Sequence, residues 1–418
     1  MVKKTSVGRV LFLVAAVQFI NITDFMMVMP LGPDFAKDLG IPSSHLGYIG
    51  GAYTMAASVV GLAGAFFLDR FDRRSVLGVC MAGLMLGTLA GGFATGLPSL
   101  LLARVIAGAF GGPASSISLA IISDVVPPAQ RGKAMGVVMG AFSAASVLGV
   151  PLGLELSRVA SWRMPFFVVA GLGLGITACT YALLPPIREH LDRARPRLPF
   201  SKLVSDPLVL LSLAVVGTVA LSAFFVIPNF SAYFQFNAGY PRKSLGMLYL
   251  AGGAVSFFAM RVVGRLVDKL GSAIVLTVGS AGFIALVWLD VVIGVPLVVP
   301  PMLFFVLFMI FQPSRAIPAN ALGTRVPPPE GRASYQSLQS SVMHMACALG
   351  AMISARLLGE RPDHALVNMD RVGTIAVVIA AFLPPMMFVL ERAVRRREAA
   401  MHRTAADQEE EIAPVSIA

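Results

Sequence analysis

Asp69-Arg70-Phe71-Asp72-Arg73 closes one long apolar run, and Asp268-Lys269-Leu270-Gly271-Ser272 closes another, 199 positions later (69 to 268). A second pair of loops keeps nearly the same spacing. Val126-Pro127-Pro128-Ala129-Gln130 and Val326-Pro327-Pro328-Pro329-Glu330 stand 200 positions apart (126 to 326), each again after an apolar run. Two unrelated loops that agree on one offset mark an internal repeat, with each copy about 200 residues long.

The runs between these loops decide the solvent. Of 418 residues, 56% are hydrophobic and only 13% are charged, with a mean hydropathy of +0.79, too little polar surface to coat a water-soluble globule. About 20 apolar residues cross about 30 Å of hydrocarbon, and backbone groups inside must pair within the segment, so bundled helices are expected. About twelve such segments can be marked, near 10–31, 46–68, 75–95, 98–123, 134–156, 164–185, 207–234, 244–263, 273–294, 297–323, 334–357 and 371–391. Lys3, Lys4 and Arg9 ahead of the first run resemble a signal peptide, but Asp24 interrupts it and no small-residue cleavage site follows. It reads as an uncleaved first span.

The expected fold is therefore an all-α membrane protein of twelve helices in two pseudo-symmetric six-helix bundles. Residues 1–185 and 207–391 form the halves, 186–206 a linker with His190, Arg193, Arg195, Pro196 and Arg197, and 392–418 a disordered, solvated tail ending near Asp407 and Glu409 to Glu411. Most of the 33 Lys and Arg residues lie at the N-terminus, in the even-to-odd loops, in the linker and in the tail, which makes those segments and both termini cytoplasmic. A net charge of +11 confined to such loops suits an anionic leaflet and gives no reason to expect nucleic acid. Cys80, Cys179 and Cys347 are far apart in apolar stretches and read as reduced core residues.

The loop after span 2, Ala65-Phe66-Phe67-Leu68-Asp69-Arg70-Phe71-Asp72-Arg73-Arg74, is similar to G-x-L-A-D-R-x-G-R-K without its two glycines, whereas Gly264-Arg265-Leu266-Val267-Asp268-Lys269-Leu270-Gly271-Ser272 keeps them. On these residues the chain resembles the major facilitator superfamily over about residues 8–395, and within it the twelve-span bacterial drug and sugar-efflux permeases, whose first span is similar to Asp24-Phe25-Met26-Met27-Val28-Met29-Pro30-Leu31-Gly32-Pro33. Arg104-Val105-Ile106-Ala107-Gly108 is similar to the R-x-x-Q-G motif of proton-coupled members. Gly149-Val150-Pro151-Leu152-Gly153-Leu154 is similar to the antiporter motif G-P-x-x-G-G, with Pro151 displaced by one position and Leu154 in place of the last glycine. The resemblance implies a gating loop in which Asp69, Arg70, Arg73, Asp124 and, in the second copy, Asp268 take part, with Asp69, Arg73 and Asp124 in one network.

An ionisable group at membrane depth costs a few kcal/mol and needs a cavity or a partner. Gln18, Asn21 and Asp24 recur every third residue and put a polar stripe on span 1, expected to line the pathway. At 1.5 Å per residue, Asp24 stands about 21 Å from the start of span 1 and Arg104 about 9 Å from the other end of span 4, nearly level in a core about 30 Å thick. Coupling between Asp24 and Arg104 is expected, against the blander reading of a fixed pair that holds two helices in register. Glu155 and Arg158 make a surface pair, Asp290 is interfacial, and Arg315 near the inner end of span 10 can snorkel to water or touch substrate. His344, with Gln339 and Gln336 nearby, is a candidate substrate contact or a packed core histidine.

H-E-x-x-H, G-x-S-x-G and G-x-x-x-x-G-K-[ST] are not found, so neither an enzyme nor direct use of ATP is expected, and no cofactor or metal. The expected function is proton-coupled efflux of a small organic or drug-like compound by alternating access, as a monomer in the bacterial inner membrane, with protons and lipid as its other partners. The alternatives are a sugar or metabolite permease of the same fold and, remotely, a membrane sensor without flux.

Overall fold

The structure is a computed structural model and describes residues 7–127, 131–188, 200–328 and 331–412. Among the described residues, 12 helices are long and apolar enough to cross a membrane. Spans 1 to 6 are Val7–Val28, Ser43–Gly64, Arg73–Gly92, Leu97–Ile122, Ala134–Val159 and Met164–Leu183; spans 7 to 12 are Pro207–Asn237, Arg242–Leu270, Ser272–Val292, Pro301–Gly323, Ser334–Leu357 and Met369–Ala400. His190, Arg193, Arg195, Pro196 and Arg197 lie outside the described residues. An even number of crossings leaves both ends on one side, the terminal face; the other is the opposite face.

Prolines in the first turn open spans 4, 6, 7 and 10, where their missing N–H is no loss. Pro113 and Pro313, 200 positions apart (113 to 313), sit inside spans 4 and 10, so the repeat extends from the loops into the helix interiors. Phe12, Phe93, Phe258 and Val278 remain more than half exposed, as an apolar belt facing lipid requires.

The bundles meet along two seams that depend on glycine. Span 2 lies so close to span 11 that a Cβ on Gly47 would fall 2.2 Å from the Ala351 carbonyl oxygen. Span 8 lies so close to span 5 that a Cβ on Gly253 would fall 2.7 Å from the Ser146 carbonyl oxygen. Midway along the first seam, the Ser58 hydroxyl donates to the Ser341 carbonyl at 2.7 Å. On the opposite face, Asp34 on the short helix Gly32–Leu39 receives Arg242 at the start of span 8, with Nε at 2.9 Å and Nη2 at 2.6 Å, and Ser157 Oγ donates to the same carboxylate at 2.9 Å. This fork-to-fork pair joins one bundle to the other and closes that face.

Two expectations are corrected here. The tail is not free from residue 392: the helix Leu383–Ile412 continues past the membrane, Val394 is buried, and Arg325–Glu398 and Arg397–Asp206 ion pairs at 2.5 and 2.6 Å tie it to the second bundle. Arg397 and Glu398 thus find partners on neighbouring elements, while Arg395 pairs with Glu391 one turn back at 2.6 Å. Cys179 is exposed on span 6, while Cys80 and Cys347 are buried.

Candidate functional site

The polar stripe of span 1 meets span 4 residue by residue. Gln18 Nε2 donates to Ser115 Oγ at 3.0 Å, and Asn21 Nδ2 to the Gly111 carbonyl at 2.8 Å. Arg104 Nη1 reaches the Asp24 oxygens at 3.1 and 3.3 Å. The level placement of Asp24 and Arg104 thus becomes contact, with Asp24 at 0% exposure and Arg104 at 1%. The stripe does not line an open path in this conformation, because each of its side chains has found a partner on span 4.

Side chains from other helices complete the site. Thr88 of span 3 donates to Asp24 Oδ1 at 2.7 Å, Tyr53 of span 2 donates to Asn21 Oδ1 at 2.9 Å, and the Arg104 guanidinium lies 5.4 Å from the Phe166 ring centroid of span 6. Arg104 Nε and Nη2 have no partner among the described residues. A buried guanidinium with spare donors is poised to exchange one acceptor for another, whereas a static pair gains from having every donor satisfied. Thr88, Tyr53 and Phe166 were not anticipated, since their roles depend on how spans 2, 3 and 6 pack rather than on any local pattern.

The antiporter-like residues touch the same helix. Gly149 closes a π-helical segment, Ala145–Gly149, and a Cβ there would fall 2.5 Å from Thr23 Oγ1, next to Asp24. Pro151 begins the following helix, Val150–Val159, and Gly153 leaves ordinary contact distance, 3.6 Å, to Met27 Cβ. Span 5 therefore lies against span 1 on both sides of the acid.

At the terminal face, Arg73 Nε meets Asp124 Oδ2 at 3.3 Å, linking spans 3 and 4 as the loop resemblance implies. Asp69 lies in the turn Leu68–Arg70, with its side chain outside the described ones, and Arg70 is exposed. Asp72 is the acid with a defined cap role: it accepts from the Arg74 and Ile187 amides at 2.9 and 3.0 Å, tying span 3 to the end of span 6. In the second bundle Asp268 is exposed, and the matching cap comes from Glu391 of span 12, which accepts from the Ala273 amide at 2.8 Å.

Four further charged residues sit elsewhere in the spans. Glu155 and Arg158 form the exposed pair expected. Asp290, near the end of span 9, is fully buried and accepts from the Val298 and Val299 amides of the following loop at 2.8 and 2.9 Å. Arg315 does not snorkel. It has 0% exposure, donates to Ser222 Oγ of span 7 and to Gln312 Oε1 at 3.3 Å, and lies 3.9 Å from the Phe283 ring centroid of span 9. Its side chain turns inward between spans 7 and 9, which offer a hydroxyl and an aromatic face. Gln339 donates to Asn320 Oδ1 at 2.5 Å, and His344 lies five residues further along span 11, half-buried.

Twelve membrane helices in two six-helix bundles, glycine-tight seams between the bundles and charges held at membrane depth define a polytopic membrane transporter. The sequence profile of the Major Facilitator Superfamily matches residues 14–351, and the chain belongs to that family. The puromycin resistance protein of Streptomyces alboniger is 30% identical over 237 residues, covering 52% of this chain and 46% of that protein. A probable sugar efflux transporter of Pasteurella multocida is 27% identical over 226 residues, covering 54% of each. The matched regions thus span about half the length of these relatives. Among solved structures, a bacterial homologue of the human lysosomal transporter Spinster in an inward-facing, unoccupied conformation shares the fold, with a TM-score of 0.74, 16% identity and coverage of 93% of this chain and 98% of that one.

Proposed function

We propose that this chain exports small organic compounds in exchange for protons by alternating access, with both termini in the cytoplasm of a bacterial cell and the opposite face outside. The observation that carries this reading is the Asp24–Arg104 pair, sealed from water, reinforced by Thr88 and left with two spare guanidinium donors. Protonation of Asp24 would release Arg104, which holds span 4 to span 1. The energy of the broken ion pair would then favour a different packing of these helices.

Other features support the direction and the cycle. The glycines of the span 5 motif press against span 1 beside Asp24, so a change at the acid reaches the span 5–span 8 seam. The Asp34–Arg242 latch holds the opposite face shut, and the Arg73–Asp124 pair braces the terminal face of the first bundle. Relatives named for puromycin resistance and sugar efflux agree with export, and the second keeps a carbohydrate substrate in view.

The test is transport into inside-out vesicles with an imposed pH gradient, native chain against Asp24→Asn at matched expression. Accumulation that follows the gradient in the native chain and vanishes in the variant is expected; accumulation indifferent to the gradient would overturn proton exchange while leaving the fold untouched.

A further inference from the structure

The second bundle holds a charge that the exchange cycle above does not use. Arg315 is as deeply buried as Arg104, yet among the described residues no carboxylate pairs with it; its partners are a serine hydroxyl, a glutamine carbonyl and an aromatic ring, and its Nε has none. A guanidinium stays charged in proteins, and burying that charge in hydrocarbon without an anion is among the costliest arrangements a membrane helix can carry. Residues retained against such a cost mark ligand or ion pathways.

Two further features lie at or near this depth. The Gln339–Asn320 contact sets the register of antiparallel spans 10 and 11, and five residues deeper on each, about 7.5 Å, lie Arg315 and His344. Gln336, Ser340 and His344 recur every fourth residue, from exposed Gln336 at the terminal end of span 11 inward to this level. A polar stripe therefore runs from the terminal face to the depth of the charge. The other face of span 7 is apolar and meets the first bundle: Phe224 stacks on Phe25 at 6.3 Å, and Met343 joins the Ala220–Ala346–Cys347 cluster. One unneutralised cation beside a hydroxyl and an amide oxygen matches a molecule with an acidic group.

We propose that Arg315 is the anion-recognition group of the transport pathway and that the exported compounds are organic oxyanions: an aryl or alkyl carboxylate, sulfonate or phosphate. Ser222 and Gln312 orient the guanidinium, and Nε and the remaining Nη hydrogens supply the fork that a planar oxyanion takes. This rests on the export reading for direction only; recognition is a property of the site at rest.

The experiment is binding by the full chain in nanodiscs without any gradient, using a panel of aryl carboxylates, sulfonates and phosphates, each against its neutral amide or ester, with chloride and inorganic phosphate as separate arms. The native chain is expected to bind at least one organic anion about tenfold more tightly than its neutral partner, one charge-assisted hydrogen bond's worth. Arg315→Gln should abolish that preference, Arg315→Lys should restore part of it, and thermal unfolding confirms that both fold. A panel in which no anion is preferred, a preference unchanged in folded Arg315→Gln, or saturation of the site by chloride or phosphate alone would each overturn the proposal. Because no gradient is applied, a chain indifferent to protons in vesicles that still selects anions through Arg315 contradicts the exchange cycle and leaves this inference standing.

Discussion

Each bundle buries one arginine at membrane depth, and the two are solved differently. Arg104 faces Asp24 at 3.1 Å with Thr88 on the same carboxylate, so its charge is answered from within the protein. Among the described residues Arg315 meets a hydroxyl, an amide oxygen and a ring but no carboxylate. The repeat makes the contrast sharper. Two hundred positions before Arg315 stands Ser115, which merely receives Gln18, so the second bundle has placed a cation where the first has a neutral contact (115 to 315). Duplication set up equivalent seams between spans 1 and 4 and between spans 7 and 10; divergence gave one a closed ion pair suited to titration and the other an open charge suited to a ligand.

The comparison can be broken most directly by stability. Asp24→Asn leaves Arg104 buried without a counter-charge and should cost about 3–5 kcal/mol, read as an earlier thermal transition in detergent. The double variant Asp24→Asn/Arg104→Gln should recover most of that loss without recovering proton-driven transport. Arg315→Met removes a charge nothing answers and should unfold at the same temperature as the native chain or higher, by up to about 1–4 kcal/mol. Equal destabilisation by Asp24→Asn and Arg315→Met would erase the distinction. Next in size, Gly47→Val drives a methyl into the Ala351 carbonyl and should oppose closure of the opposite face by about 1–3 kcal/mol, seen as increased labelling of cysteines placed along the span 2–span 11 seam. The smallest effect belongs to the latch: Asp34→Asn weakens a partly exposed pair worth about 1 kcal/mol or less, so spin labels across that face should report a few-fold larger open population that fades as salt rises.

Much of the fold was legible because membrane helices announce themselves by length, and the repeat by loops that punctuate it. The level placement of Asp24 and Arg104 followed from helix rise alone, counted along spans 1 and 4 from opposite faces. Thr88, Tyr53 and Phe166 were not legible, because which neighbour a helix face meets is decided by bundle packing. For Arg315 the sequence left snorkelling and substrate contact open for a similar reason: distance from the helix end favours snorkelling, and only Ser222 and Phe283, from spans far away in sequence, make the inward rotamer the better one. The Asp34–Arg242 latch joins loops that no periodicity relates. Asp72 and Glu391 show the limit of the repeat itself, since one cap function is supplied from opposite sides in the two bundles.

The central claim is that protons are handled in the first bundle and the transported anion in the second. The direct measurement is paired transport in proteoliposomes of an organic anion that the native chain binds, comparing one-for-one exchange without a pH gradient to accumulation with one. Asp24→Asn should keep exchange and lose accumulation, and Arg315→Gln should lose both; accumulation that survives in Asp24→Asn, or exchange that survives in Arg315→Gln, would contradict it.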